Sequence, residues 1–239
     1  MKKIYGILSI VSALALIVCM LISSLDLVAY YEPGFYEKEY RKYNVQEPLK
    51  MEITDILYVT DEMMDYLKGY RADLVVETTV DGKEREFFND REKSHMADVR
   101  DLFLGGIRLR RLLLLLVIAI VGTLVCMDEH PFRRLSKGYL IGGGVFLAAL
   151  GAFAAYASQD FTRAFTQFHH VFFNNDLWLL DPKTDLLINM LPEGFFTDFA
   201  IHMGVIFAGM LVVLAVVCIV FLIVTRQKKG CGKGRYLLE

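Results

Sequence analysis

Four stretches of the chain are almost uniformly apolar, at residues 4–28, 112–127, 138–158 and 199–225, and the sequence between them is charged. Long runs without charge predict membrane-crossing helices. The second run is short: at about 1.5 Å per residue it covers ~24 Å, against a hydrocarbon core of ~30 Å. Arg108, Arg110 and Arg111 precede it and can snorkel outward, which lets the helix begin earlier. In the third run Gly144, Ala148, Ala152 and Tyr156 share one face, as do Gly151 and Ala155, a spacing at which helices approach closely. The first run also reads as a signal peptide, but it exceeds the usual apolar core of roughly 7–15 residues and has no small-x-small site near its end. Leu16-Ile17-Val18-Cys19 is a poor lipobox because Val18 is bulky. The expectation is an uncleaved first span.

Between the runs the pattern changes period. Residues 47–60 hold a mildly β-prone run after Pro48, and residues 62–70 look helical, with Met63, Tyr66 and Leu67 on one face. Residues 74–80 form the clearest strand; Asp81-Gly82 is a tight-turn pair and residues 86–88 return, which predicts a hairpin. Asn89 or Asp90 can cap a helix over 91–103. Residues 161–173 are amphipathic, with Phe161, Phe165, Phe168 or His169, and Phe172 at helical spacing, ending at Asn174-Asn175-Asp176. A turn at 181–185, an apolar return at 186–190 and a break at 192–194 precede the last span.

Four spans put both termini on one side. Lys2, Lys3, Arg133, Arg134, Lys137, Arg226, Lys228, Lys229, Lys233 and Arg235 then share that side, which the positive-inside rule makes cytoplasmic against the opposing arginines before span two. The organisation is a first span (1–28), an extracytoplasmic head segment (29–106), spans two and three with a short cytoplasmic loop (107–158), an interfacial extracytoplasmic segment (159–198), a fourth span (199–225) and a basic tail (226–239). The fold class is an all-α polytopic membrane protein with four transmembrane helices and a small α+β head.

Composition agrees: 55% of the 239 residues are hydrophobic, above the ~45–50% usual for a soluble domain. The net charge of −2 says little, because the charges are sorted by segment. No basic stripe or nucleic-acid motif is present. Of the four cysteines, Cys19, Cys126 and Cys218 fall in apolar runs and Cys231 in the tail, which argues against a disulfide framework; no zinc spacing exists. Cys231, flanked by glycines, is a candidate for modification, with an idle tail cysteine as the alternative.

The candidate chemistry centres on histidine. His169 and His170 sit in an aromatic stretch at the edge of a span, and adjacent helical residues point about 100° apart, so one faces any given pocket. His169 shares the aromatic face; an aromatic belt with two interfacial histidines is the bland alternative. His95 and Asp98 lie three apart on one helix face, where a carboxylate can orient an imidazole, although a solvated helix pair has the same pattern. A metal site of His95, His169 and His202 lacks HExxH and a carboxylate ligand, so no metal is expected. GxSxG is absent.

Residues 168–178, FHHVFFNNDLW, continuing through Asp181-Pro182-Lys183-Thr184-Asp185 to Leu191-Pro192-Glu193-Gly194-Phe195-Phe196, closely resemble a family of integral membrane proteins of low-GC Gram-positive bacteria. His95-Met96 with Asp98-Val99 is similar to its second motif. The family resembled is the lipoprotein intramolecular transacylases, Lit, and the resemblance covers essentially the whole chain. It implies an enzyme that moves the sn-2 acyl chain of a diacylglyceryl-modified lipoprotein to the α-amino group of its N-terminal cysteine, giving the lyso form, at the outer leaflet and with no cofactor. Carried over by position, His95 and His169 are the catalytic pair: one would deprotonate the amine and the other bind the oxyanion or protonate the leaving oxygen, with His95 favoured as base and Asp98 orienting it. Asn174, Asn175 or Arg100 would supply oxyanion donors; Asp176, Trp178 and His170 would support the site. The implied partners are the lipoprotein substrate and membrane lipids. Another lipid acyltransferase, a metal-dependent hydrolase and a non-enzymatic accessory protein are the alternatives.

Overall fold

The computed structural model describes residues 2–233 and the side chains of residues 3–226; Lys2, Lys228, Lys229, Cys231, Lys233 and Arg235 lie outside the described side chains. Helix α1 (Lys2–Asp26) runs into a π-helical turn, Leu27–Tyr31. Then come α2 (Phe35–Lys42), α3 (Gln46–Leu49), α4 (Ile53–Lys68), the strands β1 (Glu77–Val80) and β2 (Lys83–Glu86), and helices α5 (Asp90–Met127), α6 (Pro131–Ala157), α7 (Phe161–Phe172), α8 (Leu186–Met190) and α9 (Glu193–Lys233). Among the described residues four helices, α1, α5, α6 and α9, are long and apolar enough to cross a bilayer, and the chain is a multi-pass membrane protein. Two compact units emerge. One holds the described residues up to 24, residues 109–155 and the described residues from 204 onward; the other holds 25–108 and 156–203.

In the first unit Ala13 and Ile17 of α1, Tyr139 of α6, and Phe207, Leu211 and Cys218 of α9 form a buried cluster, and the Tyr139 hydroxyl donates to the Leu211 carbonyl at 2.9 Å. The small residues that bring α6 against α1 are not the ones the spacing suggested. A Cβ on Gly138 would lie 2.7 Å from Ser9 Oγ and 2.8 Å from its backbone, and Gly142 faces Ala13, whereas Gly144 and Gly151 meet nothing. The contact uses Gly138 and Gly142, four residues apart and outside both small-residue stripes of the sequence, because the neighbouring helix decides which face is approached.

The second unit departs from expectation at residues 53–60. They are helical, because Ile56, Val59, Thr60, Met63 and Met64 recur at helical period and are all buried. Burial of that face overrides the β-branched propensity of the run. Gly69, at φ +81, ends α4 in the left-handed region. The hairpin forms with Val80 opposite Lys83, so Asp81 and Gly82 are a two-residue turn at φ +51 and +71, as a type I′ turn requires. β1 is shorter than the strand expected over 74–80 and the return lies at Lys83–Glu86 rather than 86–88, although the Val76 carbonyl still accepts from the Phe87 N–H at 2.9 Å.

Helix α5 starts at Asp90 and continues without interruption to Met127, so the expected helix over 91–103 and the second span are one element. Its turns up to Arg108 belong to the second unit and are densely charged; the crossing stretch is the apolar remainder. Asn89 and Glu92 cap its start reciprocally: Asn89 N–H donates to Glu92 Oε2 at 2.7 Å, and Glu92 N–H donates to Asn89 Oδ1 at 3.0 Å. Likewise α9 begins at Glu193, directly after Pro192, rather than at 199.

Candidate active site

Helix α7 carries the aromatic motif. Asp160 caps it by accepting from the Arg163 N–H at 2.9 Å, and it ends at Phe172. Its register buries Ala164 and His169 while His170 is exposed, so the two adjacent histidines do point apart. His169 lies beside His95 of α5, the ring centroids 6.1 Å apart with the planes inclined at 35°. Both rings are buried. Phe173 packs against both, at 5.4 Å from His95 and 5.7 Å from His169. Trp178 stacks on His169 at 4.6 Å, and Phe165 meets it edge-on at 4.5 Å.

Hydrogen bonding separates the two imidazoles. His169 Nδ1 lies 2.8 Å from the Phe165 carbonyl, one turn earlier on its own helix. A carbonyl only accepts, so Nδ1 carries the proton and Nε2 of the neutral ring presents a lone pair. His95 Nδ1 is buried without a hydrogen-bond partner. A buried N–H without an acceptor is less tolerable than a bare lone pair, which places the His95 proton on Nε2. The pair is therefore one acceptor nitrogen and one donor.

The electrostatics keep both rings neutral near pH 7. Burial, and then the neighbouring His169, push His95 down to about 4, with Asp98 opposing. Burial also lowers His169, against the pull of the Phe165 carbonyl. Both shifts disfavour the imidazolium.

Asp98 makes its hydrogen bond elsewhere: Asn175 Nδ2 donates to Asp98 Oδ2 at 2.8 Å. Asn175 also accepts from the Leu177 N–H at 3.0 Å through its side chain, and its carbonyl accepts from Trp178 Nε1 at 3.0 Å. Asn175 thus fixes the indole that covers His169. Arg91 donates to the Asp176 carbonyl on the same loop. Asn174, Asp176 and His170 are exposed, His170 lying edge-on to Trp178 at 5.3 Å. Arg100 is committed away from the histidines: it stacks over Tyr66 and donates to the carbonyls of Arg71 at 3.0 Å and Ala72 at 3.4 Å. His202 lies against Glu32, Nδ1 to Oε1 2.9 Å. Among the described residues no three His, Cys, Asp or Glu side chains are grouped to hold a metal ion.

Glu92 was not anticipated. It is buried one turn before His95, and its Oε1 accepts from the Leu187 N–H at 2.6 Å. Asn89 Nδ2 donates to Asp185 Oδ1 at 2.8 Å, and Asp185 Oδ2 accepts from the Asp181 N–H at 2.7 Å. The Asn89-x-x-Glu92 spacing announced the cap; nothing local announced the loop it holds.

A helical membrane protein with four apolar spans and a dry, complementary histidine pair is equipped for acid–base chemistry on an amphiphilic substrate. The family model of the lipoprotein intramolecular transacylase Lit matches residues 10–196, and the chain belongs to that family. It is an acyltransferase that acts on lipoproteins in the membrane. The structure resembles the membrane-integral Lit of Bacillus cereus, with a TM-score of 0.71 and 18% identity, covering 97% of this chain and 100% of that one. A histidine-to-arginine variant of the same protein gives a TM-score of 0.70 at 19% identity, over 97% of this chain and 96% of that one. A histidine-to-alanine variant gives 0.71 at 17%, over 95% and 97%. A search of curated proteins returned no match.

Proposed function

We propose that the chain transfers the sn-2 acyl group of a diacylglyceryl-cysteine to the cysteine's own α-amino group, with His169 as general base and His95 as oxyanion donor. The observation that carries the assignment is the Nδ1 hydrogen bond of His169 to Phe165, which leaves Nε2 as an acceptor. It reverses the expectation that His95 is the base. The neutral amine attacks the ester carbonyl. The ammonium nitrogen of the tetrahedral adduct gives its proton to His169 Nε2, and His95 Nε2–H donates to the oxyanion. The adduct collapses, the C–O bond to glycerol breaks, and His169 returns the proton to the leaving oxygen. Amide replaces ester within one molecule, so no second acyl donor is consumed.

A ring with a depressed pKa is a weak base toward a free ammonium, but the adduct pairs imidazolium with oxyanion in one dry site, where each stabilises the other. Proximity of amine and ester within a single substrate supplies much of the acceleration. The basic residues Lys3, Arg133 and Arg134 support cytoplasmic termini and an extracytoplasmic site. The test uses the purified protein and a synthetic diacylglyceryl-cysteinyl peptide, with products typed by mass spectrometry. His95→Ala and His169→Ala each lower lyso-product formation by roughly 10²–10⁴-fold, while His170→Ala stays close to the parent. Undiminished yield from His169→Ala would overturn the assignment.

A further inference from the structure

The histidine pair is buried, and aromatic rings surround it. Trp178 stacks on one face of His169 and Phe165 meets its edge. Phe165 is itself backed by Phe196 at 4.9 Å. On its exposed face α7 presents Phe168, Val171 and Phe172 at 43%, 74% and 52% exposure. These are not a scattered surface. Phe172 packs on Phe168 at 4.8 Å, Phe168 meets His169 at 5.5 Å and Phe173 at 6.5 Å, and Phe173 meets His95. A continuous aromatic row therefore runs from an exposed helix face to both imidazoles.

We propose that this row is the subsite for the acyl chain in transfer, and that Phe168 and Phe172 set the chain length accepted. The inference rests on the acyl-transfer reading above. That reading fixes the ester carbonyl within reach of both Nε2 atoms, so the alkyl chain must leave the pair by an apolar path. Phe168 and Phe172 form the apolar row that leads from the pair to an exposed helix face. An alkyl chain lying along two rings exchanges lipid neighbours for aromatic ones, so its selectivity comes from fit to the rings, through many small dispersion contacts. It also holds the carbonyl still while the amine attacks, and misplacement by a chain that is too short lowers the rate.

The experiment compares the full-length protein with Phe168→Ala and Phe172→Ala on two synthetic lipopeptides that differ only in an octanoyl or palmitoyl group at sn-2. The readout is the ratio of kcat/KM for the two, with product identity by mass spectrometry. The parent favours palmitoyl, and each alanine variant lowers that preference by about tenfold, the scale set by one well-packed apolar contact. Phe168→Leu and Phe172→Leu, which keep apolar bulk, serve should an alanine variant not fold; each lowers the preference in the same direction. An unchanged ratio in active, folded variants at both positions overturns the subsite and marks the row as an ordinary lipid-facing surface. If His169→Ala still forms the amide from either peptide, the acyl-transfer reading fails, independently of the ratio.

Discussion

Asn175 donates to Asp98 at 2.8 Å across 77 positions of sequence, and so ties the loop after α7 to the helix that carries His95. The bond joins the two histidine-bearing segments without touching either imidazole. Because the Asn175 carbonyl also accepts from Trp178 Nε1, one residue sets both the segment spacing and the indole over His169. Asn175→Ala removes the clamp and leaves Asp98 partly buried without its donor, a loss of about 1–3 kcal/mol. Asn175→Asp is worse, because it sets two carboxylates face to face. Thermal unfolding in detergent, alongside initial rates on the lipopeptide, ranks the parent above Asn175→Ala and Asn175→Asp last.

Glu92 accepts from two backbone N–H groups at widely separated positions, and it is buried. Glu92→Gln turns one acceptor oxygen into a donor that faces an N–H. A loss of about 1–3 kcal/mol follows. Hydrogen exchange should quicken first at Leu187 and Asn89, with the spans unaffected. Uniform protection in the variant would show that the clamp contributes little.

Acid sensitivity follows from the depressed histidines. His95 sits at about 4 in the fold and at its ordinary value of about 6.5 when unfolded. Between those values the unfolded chain binds the proton and the folded chain does not. Stability is therefore highest above about pH 6.5 and declines as pH falls toward about 4, with a limiting slope of roughly 1.4 kcal/mol per pH unit for one such group. His169 acts in the same direction. Melting temperatures across this range fall steeply for the parent and more gently for His95→Phe.

The same neutrality shapes the rate profile. With both imidazoles unprotonated near neutrality, the acid limb of kcat/KM reports the substrate amine, whose ordinary pKa is about 7.7–8.0. A limb that moves when the amine is made less basic, by altering the second residue of the peptide, is the expected result. A fixed limb near 6.5 would mean an imidazole at its ordinary value.

In the first unit, Gly138→Ala places a methyl 2.8 Å from the Ser9 backbone, which cannot yield as a flexible side chain would. Forcing α1 from α6 costs about 1–3 kcal/mol. Gly144→Ala meets nothing within 4 Å and leaves the melting temperature within error.

What could be read in the sequence was mostly local. The spans stood out as uninterrupted apolar runs, and Asp81-Gly82 announced a turn because few other pairs adopt two left-handed residues cheaply. The start of α4 reads as strand because Ile53, Ile56 and Val59 favour strands in isolation, and only the burial of Ile56 and Val59 on one face favours the helix. The divergence of His169 and His170 was also legible, since helix geometry alone enforces it. The approach of His95 to His169 was not: it depends on tertiary packing of distant segments, and it was anticipated only through the family resemblance. Asp98 was read as an orienting partner for His95, its neighbour in sequence, whereas its hydrogen bond comes from Asn175, a distant residue that no periodicity pairs with it.

The bond from His169 Nδ1 to the Phe165 carbonyl has a consequence for isotopes. With one ring nitrogen engaged by its own helix and the ring shielded by Trp178 and Phe165, a hydrogen taken up by Nε2 leaves by the same atom. Under the proposed mechanism, the hydrogen given up by the cysteine amine and the one that reaches the glyceryl oxygen both pass through that atom. In heavy water the amine and Nε2 carry deuterium before turnover begins, and a rate that falls linearly with the deuterium fraction marks a single hydrogen in flight at that nitrogen.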